Sequence, residues 1–125
     1  MLKYLLIAAG GSLGSILRFW LHTAVQRASG SLFPWGTLAV NLLGCLLIGG
    51  FAALFVAHAN IREEYRLGIT IGVLGGFTTF STFGFESFKL IEQGKLGLAL
   101  LNMFASCGLG LLAVAVGYWS VSRLA

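Results

Sequence analysis

Glycines, hydroxyl side chains and phenylalanines are concentrated in one segment, Gly75–Glu86, which reads GGFTTFSTFGFE. The hydrophobic run that contains it has no charged residue between Arg66 and Glu86. The adjacent glycines and Thr78-Thr79 disfavour a continuous helix, because glycine adds backbone freedom and threonine competes for backbone hydrogen bonds. In lipid a broken helix leaves unpaired N–H and C=O groups, so it is tolerated only where it is buried in protein or lines a cavity. The pattern therefore predicts a functional site near the middle of a membrane.

Three polar side chains in the hydrophobic runs could act with this segment. Asn41 lies in the middle of the second run, where it either lines a pathway or forms a helix–helix hydrogen bond. Arg18 either attracts an anion at a pathway mouth or extends to the membrane surface. An intramembrane carboxylate such as Glu86 is costly and indicates a functional role by default. The alternative for Glu86 is a structural pairing with Arg18 or with a backbone amide.

The aromatic rings and the histidines allow more than one interpretation. Phe80 and Phe83 are three residues apart and therefore share one face of a helix. Their ring edges are weakly positive and could face an anion, although packing alone would also explain them. His22 and His58 lie near the ends of different runs and share no metal-ligand spacing. The sequence therefore predicts that both histidines lie at the membrane surface.

The composition excludes an ordinary soluble domain. Of the 125 residues, 58% are hydrophobic and only 10% are charged, and 18 glycines are typical of packed membrane helices. The net charge of +4 comes from scattered basic residues, so it does not indicate a nucleic-acid-binding surface. Cys45 and Cys107 lie inside hydrophobic runs and offer neither zinc spacing nor a disulfide framework.

The hydrophobic runs predict an all-α integral membrane fold with four transmembrane helices in a single domain covering residues 1–125. Each run reaches the roughly 20 residues that a bilayer requires. The first follows Lys3 but has no small-residue cleavage site, so it is interpreted as an uncleaved span rather than a signal peptide. The predicted spans are residues 2–25, 35–58, 67–90 and 96–122, with the break in the third.

The positive charges are almost evenly divided between the two sides of the membrane. One side would carry Lys3, Arg62, Arg66 and Arg123, and the other Arg27, Lys89, Lys95 and, in one orientation of its side chain, Arg18. Membrane orientation is set by Lys/Arg asymmetry, so this chain is predicted to insert either way up. Two oppositely inserted copies could then form an antiparallel (dual-topology) homodimer, which would resemble an inverted repeat made from identical chains.

The central motif resembles the signature of the Fluc (CrcB-type) fluoride channels. The matching residues are Gly75-Gly76-Phe77-Thr78-Thr79-Phe80-Ser81-Thr82-Phe83, followed by Glu86. Three other features agree with the resemblance: Gly10-Gly11-Ser12-Leu13-Gly14 with Arg18, Gly36-Thr37-Leu38-Ala39-Val40-Asn41 with Gly44, and the four-span layout without charge bias. The resemblance extends over the whole chain and its central motif is long.

The resemblance implies a function and a set of site residues. It implies a fluoride-selective, non-enzymatic channel of the cell inner membrane that exports fluoride passively and relieves fluoride toxicity. It also implies an antiparallel homodimer with a structural sodium ion (Na+) at its centre, held by the backbone carbonyls of Gly75 and Thr78. The residues implied to line the fluoride pathway are Phe80, Phe83, Asn41, Ser81, Thr82, Arg18, Glu86 and Ser106. Gly84 stands where the family pattern has serine, and Asn102 where it has tyrosine.

Two other classes of small membrane protein share the size of this chain. A proton-coupled drug exporter also has four spans and dual topology, but it needs a carboxylate in the first span. Here that span contains Arg18 and no acidic residue. An assembly subunit without transport activity would explain the small-residue faces but would leave the broken third span unexplained. Fluoride efflux from liposomes, with chloride as the control, would distinguish the channel from both alternatives.

Overall fold

The computed structural model describes residues 1–125, and all of its regular secondary structure is helical. Four stretches are long and apolar enough to cross a membrane, as the sequence predicts. They contain 28, 23, 30 and 27 residues, so at about 1.5 Å per residue the shortest extends over about 34 Å, against a bilayer core of about 30 Å. The helices are α1 (Leu2–Ser29), α2 (Trp35–Ala57), α3 (Glu63–Leu67), a π-helical segment (Gly68–Leu74), α4 (Gly75–Phe77), α5 (Phe80–Glu92) and α6 (Leu96–Ser122).

The helices of the first and third spans extend beyond the predicted boundaries. Helix α1 continues to Ser29, where Gly30 adopts the left-handed conformation (φ 57°) and donates its N–H to the Gln26 carbonyl. This ending is a common glycine cap, and it shortens the predicted loop. The third span begins at Glu63, because the acidic side chains of Glu63 and Glu64 suit the positive end of a helix.

The third span consists of two helical halves separated by an extended dipeptide. Helix α3, the π-helical segment and α4 run without interruption from Glu63 to Phe77. Thr78 (φ −80°, ψ 158°) and Thr79 (φ −149°, ψ 116°) then adopt extended backbone, and α5 begins at Phe80. We refer to Thr78–Thr79 as the break. The C-terminal end of α4 and the N-terminal end of α5 therefore face each other inside the span.

Glycines allow α1 to pack directly on the first half of the third span. An ideal Cβ on Gly10 would lie 2.6 Å from the carbonyl oxygen of Gly68, and one on Gly76 would lie 2.6 Å from that of Gly11. No real Cβ fits at such distances, so alanine at either position would force the backbones apart. This close packing of α1 places Arg18 and His22 beside the second half of the span.

Helices α2 and α6 pack against each other through small residues of their own. Gly49 lies against the backbone of Val114, and Gly117 lies against the backbone of Leu46. The fully buried Val40 is on α2, one residue before Asn41. The close packing of α2 on α6 therefore fixes the position of Asn41 next to the break.

Candidate functional site

The side chain of Asn41 pairs with the main chain of the break. Its Nδ2 donates to the Thr79 carbonyl at 3.0 Å, and the Thr79 N–H donates to its Oδ1 at 2.8 Å. One amide side chain thus satisfies both polar groups of a buried residue that no longer belongs to a helix. Both alternatives for Asn41 are compatible with this position, because it makes an interhelical pair and also lines the cavity beside the break.

The second half of the third span begins with a side-chain cap. Thr79 is the N-cap of α5, and its Oγ1 accepts a hydrogen bond from the Thr82 N–H at 3.3 Å and donates to Thr82 Oγ1 at 2.9 Å. The other N–H groups of the first turn have no partner within a helix, and the helix dipole makes this end partly positive. The start of α5, including the exposed Ser81, is therefore suited to an anion.

The carbonyl groups on the other side of the break suit a cation. The usual helical donor to the Gly75 carbonyl is the Thr79 N–H, which here donates to Asn41. The Thr78 carbonyl faces Arg18, whose Nη1 donates to it at 3.4 Å. The Arg18 side chain therefore extends toward the break. Carbonyl oxygens at the C-terminal end of a half-helix are typical ligands for Na+ in membrane proteins.

A cavity of about 370 Å³ opens beside the break. Its lining combines both edges of the break with the facing surfaces of α2 and α6, which carry hydroxyl, thiol and apolar groups. The lining residues include Asn41, Gly75, Thr78, Phe80, Phe83 and Ser106. The structure thus brings together six of the ten residues that the resemblance implied as pathway or sodium-site residues.

Phe80 and Phe83 form an aromatic pair at the edge of this cavity. Their ring centroids are 5.5 Å apart with the planes inclined by 46°. Phe80 is 83% exposed on the single chain, which is far from the burial expected of a ring that packs in the core. The Phe80 ring is therefore available to lipid, to a second copy of the chain or to an ion, and packing within the chain does not explain its position.

Ser106 belongs to a polar network between α5 and α6. Its Oγ donates to Asn102 Oδ1 at 3.4 Å, Asn102 Nδ2 donates to Ser87 Oγ at 3.0 Å, and Ser87 Oγ donates to the Phe83 carbonyl at 2.8 Å. Asn102 is only 1% exposed, and both the nitrogen and the oxygen of its amide have a hydrogen-bond partner. This packing gives Asn102, one of the two departures from the family pattern, a structural role.

Glu86 lies apart from the cavity at the break, in a cluster of its own. Its Oε1 accepts a hydrogen bond from Thr37 Oγ1 at 2.9 Å and lies 3.5 Å from His22 Nε2. The structural partners of Glu86 are thus a threonine and a histidine. The two partners considered from the sequence, Arg18 and a backbone amide, do not pair with it. A second, smaller cavity of about 210 Å³ is lined by Glu86 together with Lys89 and Gln26.

Two residues of this cluster were not predicted to act at the site. The sequence predicts His22 at the membrane surface, and the structure adds that its Nε2 is buried beside Glu86. Thr37 entered only as part of a matching motif. One signal in the sequence points to His22: it follows Arg18 by four residues, so the two share one face of α1.

Comparison with known proteins places the chain in a family. Residues 5–118 match the model of the family described as CrcB-like protein, Camphor Resistance (CrcB). The chain is 44% identical over 124 residues to the fluoride-specific ion channel FluC of Geobacter sulfurreducens, which covers 99% of this chain and 100% of the relative. A FluC protein of Thermus thermophilus is 49% identical over 116 residues (93% and 91%). That of Phocaeicola vulgatus is 45% identical over 119 residues (95% and 98%).

These similarities extend over nearly the full length of both partners and include the segment with the break. The relatives are named as ion channels, which are not enzymes. Together with the four apolar helices they identify a multi-pass membrane protein, which in bacteria lies in the inner membrane. The chain belongs to the Fluc (CrcB-type) family, as the resemblance of its central motif predicted.

Proposed function

We propose that this protein is a fluoride-selective channel that allows fluoride to leave the cell passively. The observation that carries the proposal is the break, where the N-terminal end of α5 and the Phe80–Phe83 pair border one cavity with Asn41. Full-length relatives named fluoride-specific ion channels support the same function.

The chemistry of fluoride fits the groups at this site. Fluoride is small and strongly hydrated, so a selective pathway must replace its water with hydrogen-bond donors. Asn41 uses one amide hydrogen on the Thr79 carbonyl and keeps the other. Hydroxyl groups of Ser81, Thr82 and Ser106 would add donors, and the ring edges of the phenylalanines would offer weakly positive surface without a full charge.

We further propose that Na+ stabilises the break at the interface of two copies. The carbonyls of Gly75 and Thr78 fit such a role, since hard oxygen atoms at a half-helix C-terminus suit Na+. Two residues from each of two copies would supply four oxygens. The Thr78 carbonyl also accepts the Arg18 hydrogen bond, and it has a second lone pair available for a cation. The ion would hold the two copies together and supply no chemistry of its own.

The assembly we propose is an antiparallel homodimer. The nearly equal Lys/Arg distribution supports insertion in both orientations. The exposed aromatic surface of α5, which includes Phe80, Phe85 and Phe88, supports burial against a second copy. A pathway lined by rings from both copies would then be complete only in the dimer.

Passive flow requires only the membrane potential. The sequence contains no nucleotide-binding motif and no redox group. A potential that is negative inside drives an anion outward by about 2.3 kcal/mol per charge per 100 mV. This driving force favours export of fluoride whenever the cytoplasmic concentration rises.

Ion efflux from proteoliposomes tests the proposal. Purified protein is reconstituted in liposomes loaded with potassium fluoride or potassium chloride, and efflux is started with valinomycin and followed with ion-selective electrodes. We expect fast fluoride efflux and chloride efflux no faster than from protein-free liposomes. Fluoride efflux at the protein-free rate, or equal efflux of both anions, would refute a fluoride-selective channel.

A further inference from the structure

His22 and Glu86 form a titratable pair in which each residue has a buried atom without a hydrogen bond. His22 Nε2 lies 3.5 Å from Glu86 Oε1, and neither His22 Nε2 nor Glu86 Oε2 makes a hydrogen bond. The two side chains remain 31% and 23% exposed on the single chain, so neither is sealed in its core. A proton on Nε2 would give the imidazole a donor that points at the carboxylate.

The absence of a side chain at Gly36 lets α2 pack directly against the His22 imidazole. Gly36 of α2 lies against His22, and an ideal Cβ there would lie 2.9 Å from His22 Cδ2. The adjacent Thr37 donates to the same Glu86 oxygen that His22 faces. Residues from α1, α2 and α5 therefore converge on one carboxylate oxygen, so the distance between imidazole and carboxylate is set by helix packing.

Few other charges can affect this pair. On α1, Arg18 is one turn from His22, but its guanidinium donates to the Thr78 carbonyl. Helices α2, α4 and α6 and the π-helical segment contain no Asp, Glu, Lys or Arg. On α5, Lys89 shares the smaller cavity with Glu86 but pairs with Glu92 at 2.9 Å. His22 is consequently the one neighbour of Glu86 in this cluster that can gain a proton and with it a positive charge.

We propose that His22 is a positioning residue that controls the charge of Glu86 and thereby makes anion flow depend on pH. The inference rests on the proposed function. With neutral His22, the Glu86 carboxylate keeps an unpaired negative charge that repels fluoride. When His22 binds a proton from water, it donates to Glu86 and neutralises this charge. Fluoride flow therefore rises as the pH falls.

Coulomb's law bounds the size of the effect. For an anion at an assumed distance of roughly 10 Å from Glu86, removal of one negative charge raises the ion's occupancy about twofold at a dielectric constant of about 80. At an effective dielectric constant of about 20 the increase is about sixteenfold. We expect the rise in flow between high and low pH to fall within these bounds.

The test is a pH series of fluoride efflux with the wild-type dimer, His22→Gln, Glu86→Gln and the matched control His58→Gln. His58 is exposed at the end of α2 and far from the cluster along the chain. Protein-free liposomes are measured at each pH and subtracted, because hydrofluoric acid crosses bilayers. We expect the rise at low pH in the wild type and in His58→Gln, and a flat profile in His22→Gln and Glu86→Gln.

Different failures refute different statements. A wild-type channel with a flat profile, or a His22→Gln variant that keeps the wild-type profile, overturns the role of His22 and leaves the channel intact. Absence of fluoride flow at every pH refutes the proposed function and this inference with it. If His22→Gln does not fold, imidazole NMR of the wild type and of Glu86→Gln replaces it. Titration of His22 at the same pH in both proteins would then overturn the pairing, and a lower titration pH in Glu86→Gln would support it.

Discussion

Removal of the Asn41 side chain is expected to destabilise the protein by leaving the break without partners. The Asn41→Ala change removes two hydrogen bonds, of 3.0 and 2.8 Å, and leaves the N–H and C=O of Thr79 unpaired. Thr79 is only 7% exposed, and lipid offers no replacement partner. Each unsatisfied buried group costs about 1–3 kcal/mol, so the free energy of unfolding should fall by about 2–6 kcal/mol.

A second substitution separates the two hydrogen bonds. Asn41→Asp keeps an acceptor for the Thr79 N–H but has no donor for the Thr79 carbonyl when it is ionised. It also buries a charge and sets a carboxylate oxygen against the Thr79 carbonyl, so its cost should be at least that of Asn41→Ala. Asn41→Asp should also block fluoride flow, because a carboxylate repels an anion where an amide donates to it.

The assay is equilibrium unfolding in detergent micelles, followed by the fluorescence of the three tryptophans. Asn60→Ala is the matched control, since Asn60 lies exposed in the loop after α2 and its removal should change the unfolding free energy by less than about 0.5 kcal/mol. If Asn41→Ala is as stable as Asn60→Ala, the Asn41–Thr79 pair does not hold the break and the reasoning is wrong.

Three further predictions concern the proposed ion pathway and assembly. Replacing Phe80 or Phe83 by isoleucine should abolish fluoride flow, because an aliphatic group has no quadrupole. Gel filtration should still show a folded dimer. Normal fluoride flow through both variants would show that the rings do not contribute to the mechanism. Exchange of sodium for a much larger monovalent cation should weaken the dimer or stop fluoride flow, since the carbonyls of Gly75 and Thr78 would lose the ion that they bind together. Unchanged activity after exhaustive sodium removal would contradict the sodium site. Adding two or three lysines to one side of the chain should lower activity, and co-expression of the oppositely biased variant should restore it; full activity of one biased variant alone would rule out the antiparallel dimer.

Four membrane helices and the location of an unusual segment could be predicted from the sequence. Both follow from local composition, because any run of about 20 apolar residues without charges favours a membrane span. Likewise Gly75-Gly76 followed by two threonines disfavours helix, although in the structure both glycines remain helical and only Thr78 and Thr79 are extended. The long central motif was specific enough to indicate the family, which the comparisons confirmed.

Helix boundaries and the partners of the polar residues could not be predicted. The C-terminal end of α1 depends on a glycine cap, and the start of the third span depends on acidic residues in the first turn. Both effects are small compared with the hydrophobic pattern. The partner of Asn41 was open from the sequence, since an amide in the middle of a span can pair with any facing helix. Only the packing of α2 against the third span assigned it to Thr79.

The cluster of His22, Thr37 and Glu86 depended wholly on tertiary structure. These residues are 15 and 49 positions apart along the chain, and no local pattern connects a histidine at the end of one span with a carboxylate in another. They meet because Gly36 allows the backbones of α1 and α2 to approach. The sequence by itself determined which segments enter the membrane and where the helix is interrupted, because both depend on neighbouring residues. The tertiary structure decided which side chain satisfies each polar group, because in a dry interior the available partner is set by helix packing.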